Sequence, residues 1–237
     1  MKSVNKKFIR TEILFGKENM EKLKNLNVII FGLGGVGGYV CEALARSGIY
    51  NLTLVDHDKI SESNINRQIF ASINNIDKLK VEVARKRILN INPEAKIKVW
   101  DKFVDENNIF EILDKNYDYV VDAIDSVKSK ISIILLANKL DLKIISCMGM
   151  GNKIEPSKIK LADIFETKYC PLAKIMRHEL KKHGIKKLKV CYSDEEPIKI
   201  NYDNKNKKEK VVGSVAYVPS VAGLLIVSEI INNVIKK

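Results

Sequence analysis

Residues 27–38 read NVIIFGLGGVGG, a short apolar run that passes directly into a glycine-rich turn. The run Asn27–Phe31 predicts a buried β-strand. Gly32, Gly34 and Gly37 then satisfy the pattern G-x-G-x-x-G between a strand and a helix. Glycines in this pattern let the backbone turn sharply beside a phosphate, and the helix that follows offers free N–H groups at its N-terminus. The stretch therefore predicts a nucleotide site at the end of the first strand.

A helix and a second strand follow the turn. The helix is predicted over Tyr39–Arg46, because Ser47 and Gly48 form a C-terminal stop. The strand Leu52–Val55 is closed by Asp56, whose carboxylate is placed to accept a ribose hydroxyl. This strand–helix–strand unit implies a parallel sheet with a right-handed crossover.

The same alternation of strand and helix continues over residues 1–150. The further elements predicted there are Lys78–Asn90, Lys96–Trp100, Asn107–Asp114, Tyr117–Ala123, Lys128–Leu140 and Lys143–Cys147. Such alternation is typical of the α/β class, in a Rossmann-like, doubly wound and mostly parallel sheet. We therefore assign residues 1–150 to a nucleotide-binding part.

Residues 151–237 follow a different pattern and predict an α+β extension. Two strands, Lys153–Ile159 and Leu188–Tyr192, flank a basic helix over Leu172–His183. The stretch Tyr202–Lys210 has no apolar face and predicts a loop.

A last helix completes this extension. It is predicted to open at Pro219-Ser220, with Ser220 as its N-cap, and to run to Ile235. No linker separates the two parts, so we expect a single domain over residues 1–237.

Composition describes a globular and strongly basic chain. Hydrophobic residues make up 46% and charged residues 30%, which is ordinary for a soluble protein. The apolar stretch Val221–Val227 is far shorter than the ~20 residues of a membrane span, and the first residues lack the apolar core of a signal peptide. We therefore expect a cytoplasmic location without membrane contact. The net charge of +12 suggests an anionic partner.

The four cysteines are Cys41, Cys147, Cys170 and Cys191, and no two of them form a C-x-x-C pair. A structural zinc site is not expected, because such sites bring paired ligands at short spacing. Inert, buried thiols are the favoured interpretation, and a sulfur-accepting role for Cys147 or Cys191 is the alternative.

The glycine turn alone does not choose between NAD and ATP, but the polar residues after it do. An adenylating enzyme must hold a triphosphate and stabilise further charge in the transition state, whereas a dehydrogenase needs a dry nicotinamide pocket. The Arg67 guanidinium can donate two parallel hydrogen bonds to phosphate oxygens, and Lys80 supplies a compact cation. The predicted phosphate ligands are Asn64, Arg67, Gln68 and Lys80.

Carboxylates complete the predicted ATP site. Asp122 and Asp125 lie at or just past the carboxyl end of a predicted strand, where ligands bind in open α/β sheets. Carboxylates there suit Mg²⁺, so Asp125 is predicted as metal ligand and catalytic group, with Asp122 in support. Asp58, just after the second strand, is predicted as a further cofactor-binding residue. Taken singly, Lys80 could be a solvated helix residue and Asp125 a helix N-cap. Their joint order in one chain favours ATP.

Together these motifs resemble the signature of the ubiquitin-activating-enzyme-like superfamily, whose bacterial members adenylate the C-terminus of sulfur-carrier proteins. The matching residues here are Gly32–Gly37, Asp56, Asn64–Gln68, Lys80 and Asp122–Asp125. The resemblance implies that Gly34, Gly35 and Gly37 cradle phosphates. It also implies a homodimer in which Arg10 enters the ATP site of the partner.

Within the superfamily, the chain is most similar to the tRNA threonylcarbamoyladenosine dehydratases. The stretches that carry this similarity are Glu42–Gly48, Ser63–Ile69, Ile91–Pro93, Val121–Val127 and Gly213–Ser220. The resemblance implies that ATP activates a threonine carboxylate, on a modified adenosine beside the tRNA anticodon, as an acyl-adenylate. An atom of the neighbouring carbamoyl group then closes a ring, with loss of AMP. One departure is Tyr169-Cys170-Pro171, where close relatives often carry Asp-Pro.

A tRNA substrate would give the basic charge a purpose. The basic residues of the C-terminal part that it would contact are Arg177, Lys181, Lys182, Lys186, Lys187 and Lys189. The alternative for them is a solvated helix face and loop.

Three rival functions remain open at this point. The first is activation of a ubiquitin-like sulfur carrier, with sulfur-transfer proteins as possible partners, although the missing C-x-x-C pairs count against it. The second, an NAD-dependent oxidoreductase, leaves Arg67, Lys80 and Asp125 unexplained. The third is a nucleotide-binding scaffold with an inactive site, against which the complete polar set argues.

Overall fold

Seven strands form one sheet in the computed structural model, which describes residues 6–200 and 212–236. In chain order they are Asn27–Phe31 (β1), Asn51–Val55 (β2), Lys96–Trp100 (β3), Tyr119–Asp122 (β4), Lys143–Cys147 (β5), Ile159–Asp163 (β6) and Lys189–Ser193 (β7). Their order across the sheet is β3-β2-β1-β4-β5-β7-β6, and only β6 is antiparallel to its neighbour. The strand order reverses between β1 and β4, so the crevice beyond their carboxyl ends is the expected ligand position.

Eight α-helices lie among the described residues and cover both faces of the sheet. They are Ile9–Phe15 (α1), Lys17–Asn25 (α2), Gly37–Arg46 (α3), Lys80–Ile91 (α4), Ile109–Ile112 (α5), Val127–Lys139 (α6), Pro171–Lys182 (α7) and Tyr217–Ile235 (α8). The predicted doubly wound α/β fold with a C-terminal extension is confirmed. Most element boundaries shift by one to three residues from the predicted ones.

Both faces of β1 are buried, which explains its unbroken apolar sequence. Val28 and Ile30 point into a core shared with α3 and α8, whereas Ile29 and Phe31 point into a core shared with α6. All four side chains are fully buried. The glycine turn therefore leaves a strand that is fixed from both sides.

The last helix, α8, is long and apolar enough to cross a membrane by length and composition alone. In the fold it is a core helix, because Val218, Ala222, Ile226 and Ile230 are fully buried in the cluster that also contains residues of α3. A Cβ on Gly223 would lie 2.7 Å from the backbone oxygen of Val36, so glycine permits the close approach of α8 to the phosphate turn.

The start of α8 differs from the sequence prediction. The helix begins at Tyr217, and the Ser220 hydroxyl donates to the Tyr217 carbonyl at 2.9 Å instead of capping the helix. Pro219 is the third helical residue. The first N–H groups of a helix have no intrahelical partner, so a proline there costs no hydrogen bond.

The strand predicted over Lys153–Ile159 is wrong over most of its length. Pro156–Lys158 forms a 3₁₀ turn, and the Glu155 side chain accepts a hydrogen bond from the Ser157 N–H. Proline has no N–H to give to a ladder, so pairing with β7 starts only at Ile159. The predicted loop Tyr202–Lys210 lies outside the described residues.

Candidate active site

A cavity of about 670 Å³ opens at the β1/β4 switch point. One side is formed by the glycine turn and by the segments that follow β2 and β4, and the other side by the C-terminal part. The predicted site residues that line it are Gly32, Gly34, Gly35, Asp56, Asp58, Asn64, Arg67, Gln68, Lys80 and Asp125. Gly37, Asp122 and Arg10 do not line it. The fold thus brings most of the predicted set to one cavity.

The glycine turn is shaped by two close backbone approaches. Gly32 has a φ of +88°, and a Cβ there would lie 2.7 Å from the Ala123 carbonyl oxygen. A Cβ on Gly37 would lie 1.8 Å from the Gly32 carbonyl oxygen. Gly37 therefore serves the fold of the turn, while Gly34 and Gly35 face the cavity. Since α3 begins at Gly37, its free N–H groups lie at this end of the cavity.

Asp56 ties the turn to the end of β2. Its Oδ2 accepts a hydrogen bond from the Leu33 N–H at 2.6 Å, and its Oδ1 accepts one from the Asp58 N–H at 2.8 Å. The carboxylate is therefore fixed in place, and each oxygen retains a lone pair for a ribose hydroxyl.

Lys80 is buried at the start of α4, so its alternative interpretation as a solvated helix residue is wrong. Its Nζ donates to Asp58 Oδ2 at 2.7 Å and lies 3.9 Å from Asp56 Oδ1. Asp56, His57 and Asp58 could together offer ligand atoms to a cation. The ammonium of Lys80 pairs with this acidic group and offsets one of its two carboxylate charges.

The segment Asn64–Gln68 is a rigid turn beside the glycines. Asn64 Oδ1 accepts from the Ser61 N–H at 3.1 Å, and the Ser61 side chain completes a capping box. Arg67 Nη1 donates to the Ser63 carbonyl and to Asn66 Oδ1, both at 2.8 Å. One guanidinium nitrogen thus anchors Arg67, and its other N–H groups have no hydrogen-bond partner among residues 6–200 and 212–236.

Asp122 and Asp125 have opposite environments, although only two residues separate them. Asp122 is fully buried, and its Oδ2 accepts from Lys130 Nζ at 2.9 Å and from the Ser146 hydroxyl at 2.5 Å. Asp125 is exposed to the cavity, and its carboxylate has no ion-pair partner among residues 6–200 and 212–236. Its alternative interpretation as a helix N-cap is wrong, because Ser126 caps α6.

Lys130 is the residue that sequence reasoning missed. It is fully buried beneath the cavity, and its ammonium also donates to the Cys147 carbonyl at 2.7 Å. The signal that could have found it is a lysine in KSKISIILL, a stretch that turns apolar towards the core. Sequence reasoning also missed the far side of the cavity, which is formed by Cys147–Gly151, Leu172, Val212, Ser214 and Pro219.

A family model described as ThiF family matches residues 9–237. The chain belongs to the ThiF family. Among relatives, it is 40% identical over 240 residues to the tRNA threonylcarbamoyladenosine dehydratase of Bacillus subtilis, covering 97% of this chain and 94% of that protein.

Solved structures of ThiF-type proteins agree with this assignment. The chain is similar to Escherichia coli tRNA N6-threonylcarbamoyladenosine dehydratase in complex with AMP, with a TM-score of 0.90, 32% identity and coverage of 97% of this chain and 94% of that one. The same enzyme in complex with ATP gives a TM-score of 0.87 and 31% identity, with the same coverage.

The four cysteines of this ThiF chain are buried and free. Burial raises the pKa of the Cys41 thiol, and a hydrogen bond with Cys147 together with burial raises the pKa of Cys191. Raised thiol pKa values disfavour the nucleophilic thiolate. Cys147 and Cys191 are nevertheless direct neighbours on β5 and β7, and Cys147 lines the cavity.

Proposed function

We propose that this protein uses ATP to dehydrate, and so cyclise, threonylcarbamoyladenosine in tRNA. The observation that carries the proposal is the similarity to a dehydratase of B. subtilis along 94% of that protein's length. The cavity supports it, because the polar residues of a triphosphate site line one side while the other side is left for a second substrate. We expect the enzyme to act in the cytoplasm.

The proposed chemistry divides the site residues by task. Gly34 and Gly35 hold the phosphates with backbone N–H groups, Asp56 holds the ribose, and Arg67 and Lys80 bind the triphosphate, with Asn64 and Gln68 beside them. The threonine carboxylate attacks the α-phosphate and pyrophosphate leaves. An atom of the carbamoyl group then attacks the activated carbonyl and AMP leaves.

Ring closure needs no nucleophile from the protein. The attacking group is tethered to the acyl-adenylate, so proximity supplies much of the rate. The raised pKa values of the Cys41 and Cys191 thiols agree with a mechanism that does not use a thiolate.

Asp125 is proposed as the ligand of Mg²⁺. Its carboxylate is exposed to the cavity and free of ion pairs among the described residues, which fits an ion that binds through one or two carboxylates plus substrate phosphates. The bound ion would neutralise charge on the triphosphate. Asp122 acts indirectly, by joining the end of β4 to Lys130 and Ser146 beneath Asp125.

Arg10 is proposed to act across a homodimer. It lies on α1 and is exposed, as are the neighbouring Ile13 and Leu14, which are 75% and 80% accessible. Two apolar side chains beside an exposed arginine fit a helix that is covered by a second copy of the chain.

The basic stretch of the C-terminal part is proposed to contact the anticodon stem. Arg177 and Lys189 are engaged within the fold, with Thr167 and Glu229 respectively. Lys186 and Lys187 are exposed. Changing Lys181, Lys182, Lys186 and Lys187 to Glu should weaken tRNA binding and leave ATP binding intact, and unchanged tRNA affinity at moderate salt would contradict this contact.

The deciding experiment measures AMP release by the purified protein with tRNA from a strain that lacks this gene. Mass spectrometry of the nucleosides runs in parallel. We expect tRNA-dependent AMP release and loss of one water from threonylcarbamoyladenosine. If tRNA produces no AMP release, but a carrier protein ending in Gly-Gly supports ATP–pyrophosphate exchange, the function is sulfur-carrier activation instead.

Asp125→Ala tests the site itself. We expect the variant to keep its fold and lose adenylation, since no other free carboxylate replaces Asp125 in the proposed mechanism. Glu21→Ala, which removes an exposed carboxylate on α2, is the matched control. Turnover of Asp125→Ala at the wild-type rate would remove Asp125 from the mechanism.

A further inference from the structure

The segment before α7 contains a strained turn centred on Tyr169. The Cys170 N–H donates to the Lys168 carbonyl at 2.7 Å, which closes a three-residue turn, and Tyr169 has a φ of +56°. A γ-turn with a positive central φ is rare and strained. For a bulky side chain such a φ is an outlier. Tyr169 is 62% exposed, so its own burial does not offset the strain.

Contacts on both sides hold the turn in place. Before it, the Thr167 hydroxyl donates to the Ile164 carbonyl at 2.7 Å, and Arg177 from α7 donates to the Thr167 carbonyl at 3.1 Å. After it, Cys170 is buried and Pro171 begins α7. The exposed ring therefore projects from a fixed frame rather than from a free loop.

The turn packs against residues that line the cavity, although residues 168–171 do not line it themselves. A Cβ built on Gly149, which lines the cavity, would lie 3.8 Å from Cys170 Sγ and 3.7 Å from Leu172 Cβ. Leu172 itself lines the cavity. Tyr169 is thus next in sequence to a residue packed against the wall. This is the side of the cavity that the proposed triphosphate residues leave unused.

Positive residues predominate in the sequence next to Tyr169. Lys168 directly before it and Lys174 in the first turn of α7 are both exposed, and the nearest acidic residue in sequence is Glu166. An exposed aromatic ring between cations, beside a site of chemistry, is the arrangement with which proteins bind unpaired nucleotides.

We propose that Tyr169 stacks on an unpaired base of the RNA substrate, next to the nucleoside that enters the cavity. The inference rests on the proposed function and adds a specificity-determining residue to it. A ring on a fixed backbone loses less conformational freedom on binding than one on a free loop, and Lys168 and Lys174 contact the phosphates on either side of the stacked base. The strain of the turn is the cost of holding the ring outwards before the RNA arrives.

The test is steady-state kinetics of AMP release, with tRNA varied at saturating ATP and then ATP varied at saturating tRNA. Stacking contributes about 1–3 kcal/mol per base, so Tyr169→Ala should raise the KM for tRNA by about 5- to 150-fold and leave the KM for ATP unchanged. Tyr169→Phe and Tyr169→Trp keep a ring and should stay within about twofold of wild type.

Two further variants separate stacking from folding. Tyr169→Gly removes the ring and also relieves the positive φ, so it should lose tRNA affinity while its thermal midpoint stays at or above that of wild type. Phe110→Ala removes an equally exposed ring that does not line the cavity, and should change neither KM. A stem-loop with 2-aminopurine beside the target adenosine reports stacking directly, since the wild type should quench its fluorescence and Tyr169→Gly should not.

The outcomes are distinguishable. If the wild type is active, and Tyr169→Ala and Tyr169→Gly both keep the wild-type KM for tRNA, the stacking proposal alone is overturned. Loss of tRNA affinity in Tyr169→Phe would assign the effect to the hydroxyl group and overturn stacking as well. A wild type that releases no AMP with tRNA would overturn the proposed function, and the stacking proposal with it.

Discussion

Two lysine–aspartate pairs with buried lysines flank β1, one beyond β2 and one beyond β4, and they differ in how many partners the lysine has. Lys130 and Asp122 are fully buried, and the ammonium has three acceptors, in Asp122, Ser146 and the Cys147 carbonyl. Lys80 has one hydrogen bond among the described residues, to Asp58, whose side chain is 50% exposed.

The difference indicates which cation is available to a ligand. An ammonium has three donors, so the fold itself saturates Lys130, and that lysine can only hold the ends of β4 and β5 together. Lys80 faces the cavity with donors to spare, and a phosphate is the partner that would saturate it. We therefore propose that Lys130 serves stability and that Lys80 binds ATP.

Lys130→Met should have the largest effect, on stability. Removing one partner of a buried pair leaves Asp122 as an uncompensated charge, which costs about 3–5 kcal/mol. Denaturant unfolding of the variant against Lys128→Met, an exposed lysine on the same helix, measures the difference. The double variant Asp122→Asn/Lys130→Met should recover part of the lost stability. If Lys130→Met and Lys128→Met have the same free energy of unfolding, Lys130 does not have the structural role given to it here.

Lys80→Met should act mainly on catalysis. Loss of one preorganised cation from a phosphate site typically lowers kcat by about 100-fold or more, whereas Asp58 can return to water at small cost. The AMP-release rate and the denaturation midpoint should be measured on the same preparation, with Lys78→Met as control. A large loss of stability at unchanged rate would make Lys80 a second structural lysine.

Glu42 allows the same comparison for ion pairs in which the cations, Arg46 and Arg87, are about half exposed. Burial acts to raise its pKa, but hydrogen bonds from Arg87 and Arg46 outweigh burial and leave the pKa below 4.5. The folded state thus gains stability above the unfolded pKa and loses it as the pH falls through the lowered folded value. Glu42→Gln should cost about 1–2 kcal/mol at pH 7.

The pH dependence checks this assignment. The difference in free energy of unfolding between wild type and Glu42→Gln should shrink as the pH falls below 4.5. A difference that stays constant from pH 7 to pH 3 would mean that the carboxylate charge is not what stabilises the contact.

Local sequence was sufficient to predict the nucleotide end of the fold. The strand before the glycine turn is apolar on both faces. Among the predicted site residues, Asp56 directly follows β2 and Lys80 opens α4, so their order along the chain predicts where they lie. The positions and the burial of the polar side chains could be seen only in the structure. The sequence VDAIDSV already placed Asp125 ahead of Asp122, and the structure supplies the physical reason, since Asp122 is buried opposite Lys130.

The C-terminal part was predicted less well, because its contacts join residues far apart in sequence. Ser214 meets Asn66 at 3.0 Å, and Cys170 packs against Gly149. The Tyr169-Cys170-Pro171 departure had no interpretation from sequence. In the structure, Cys170 is the N-cap residue of α7 without a side-chain capping bond, where the aspartate of an Asp-Pro pair would supply one.

The outer strand β3 gives the lysine-rich composition another consequence. Among the described residues it is one edge of the sheet, and its exposed positions include Lys96 and Lys98. A bare edge is a template on which the strands of other molecules can add, and lysine side chains along it oppose such growth by repulsion and by the cost of desolvating charge. Part of the positive charge that suits an RNA substrate therefore also keeps concentrated protein from aggregating.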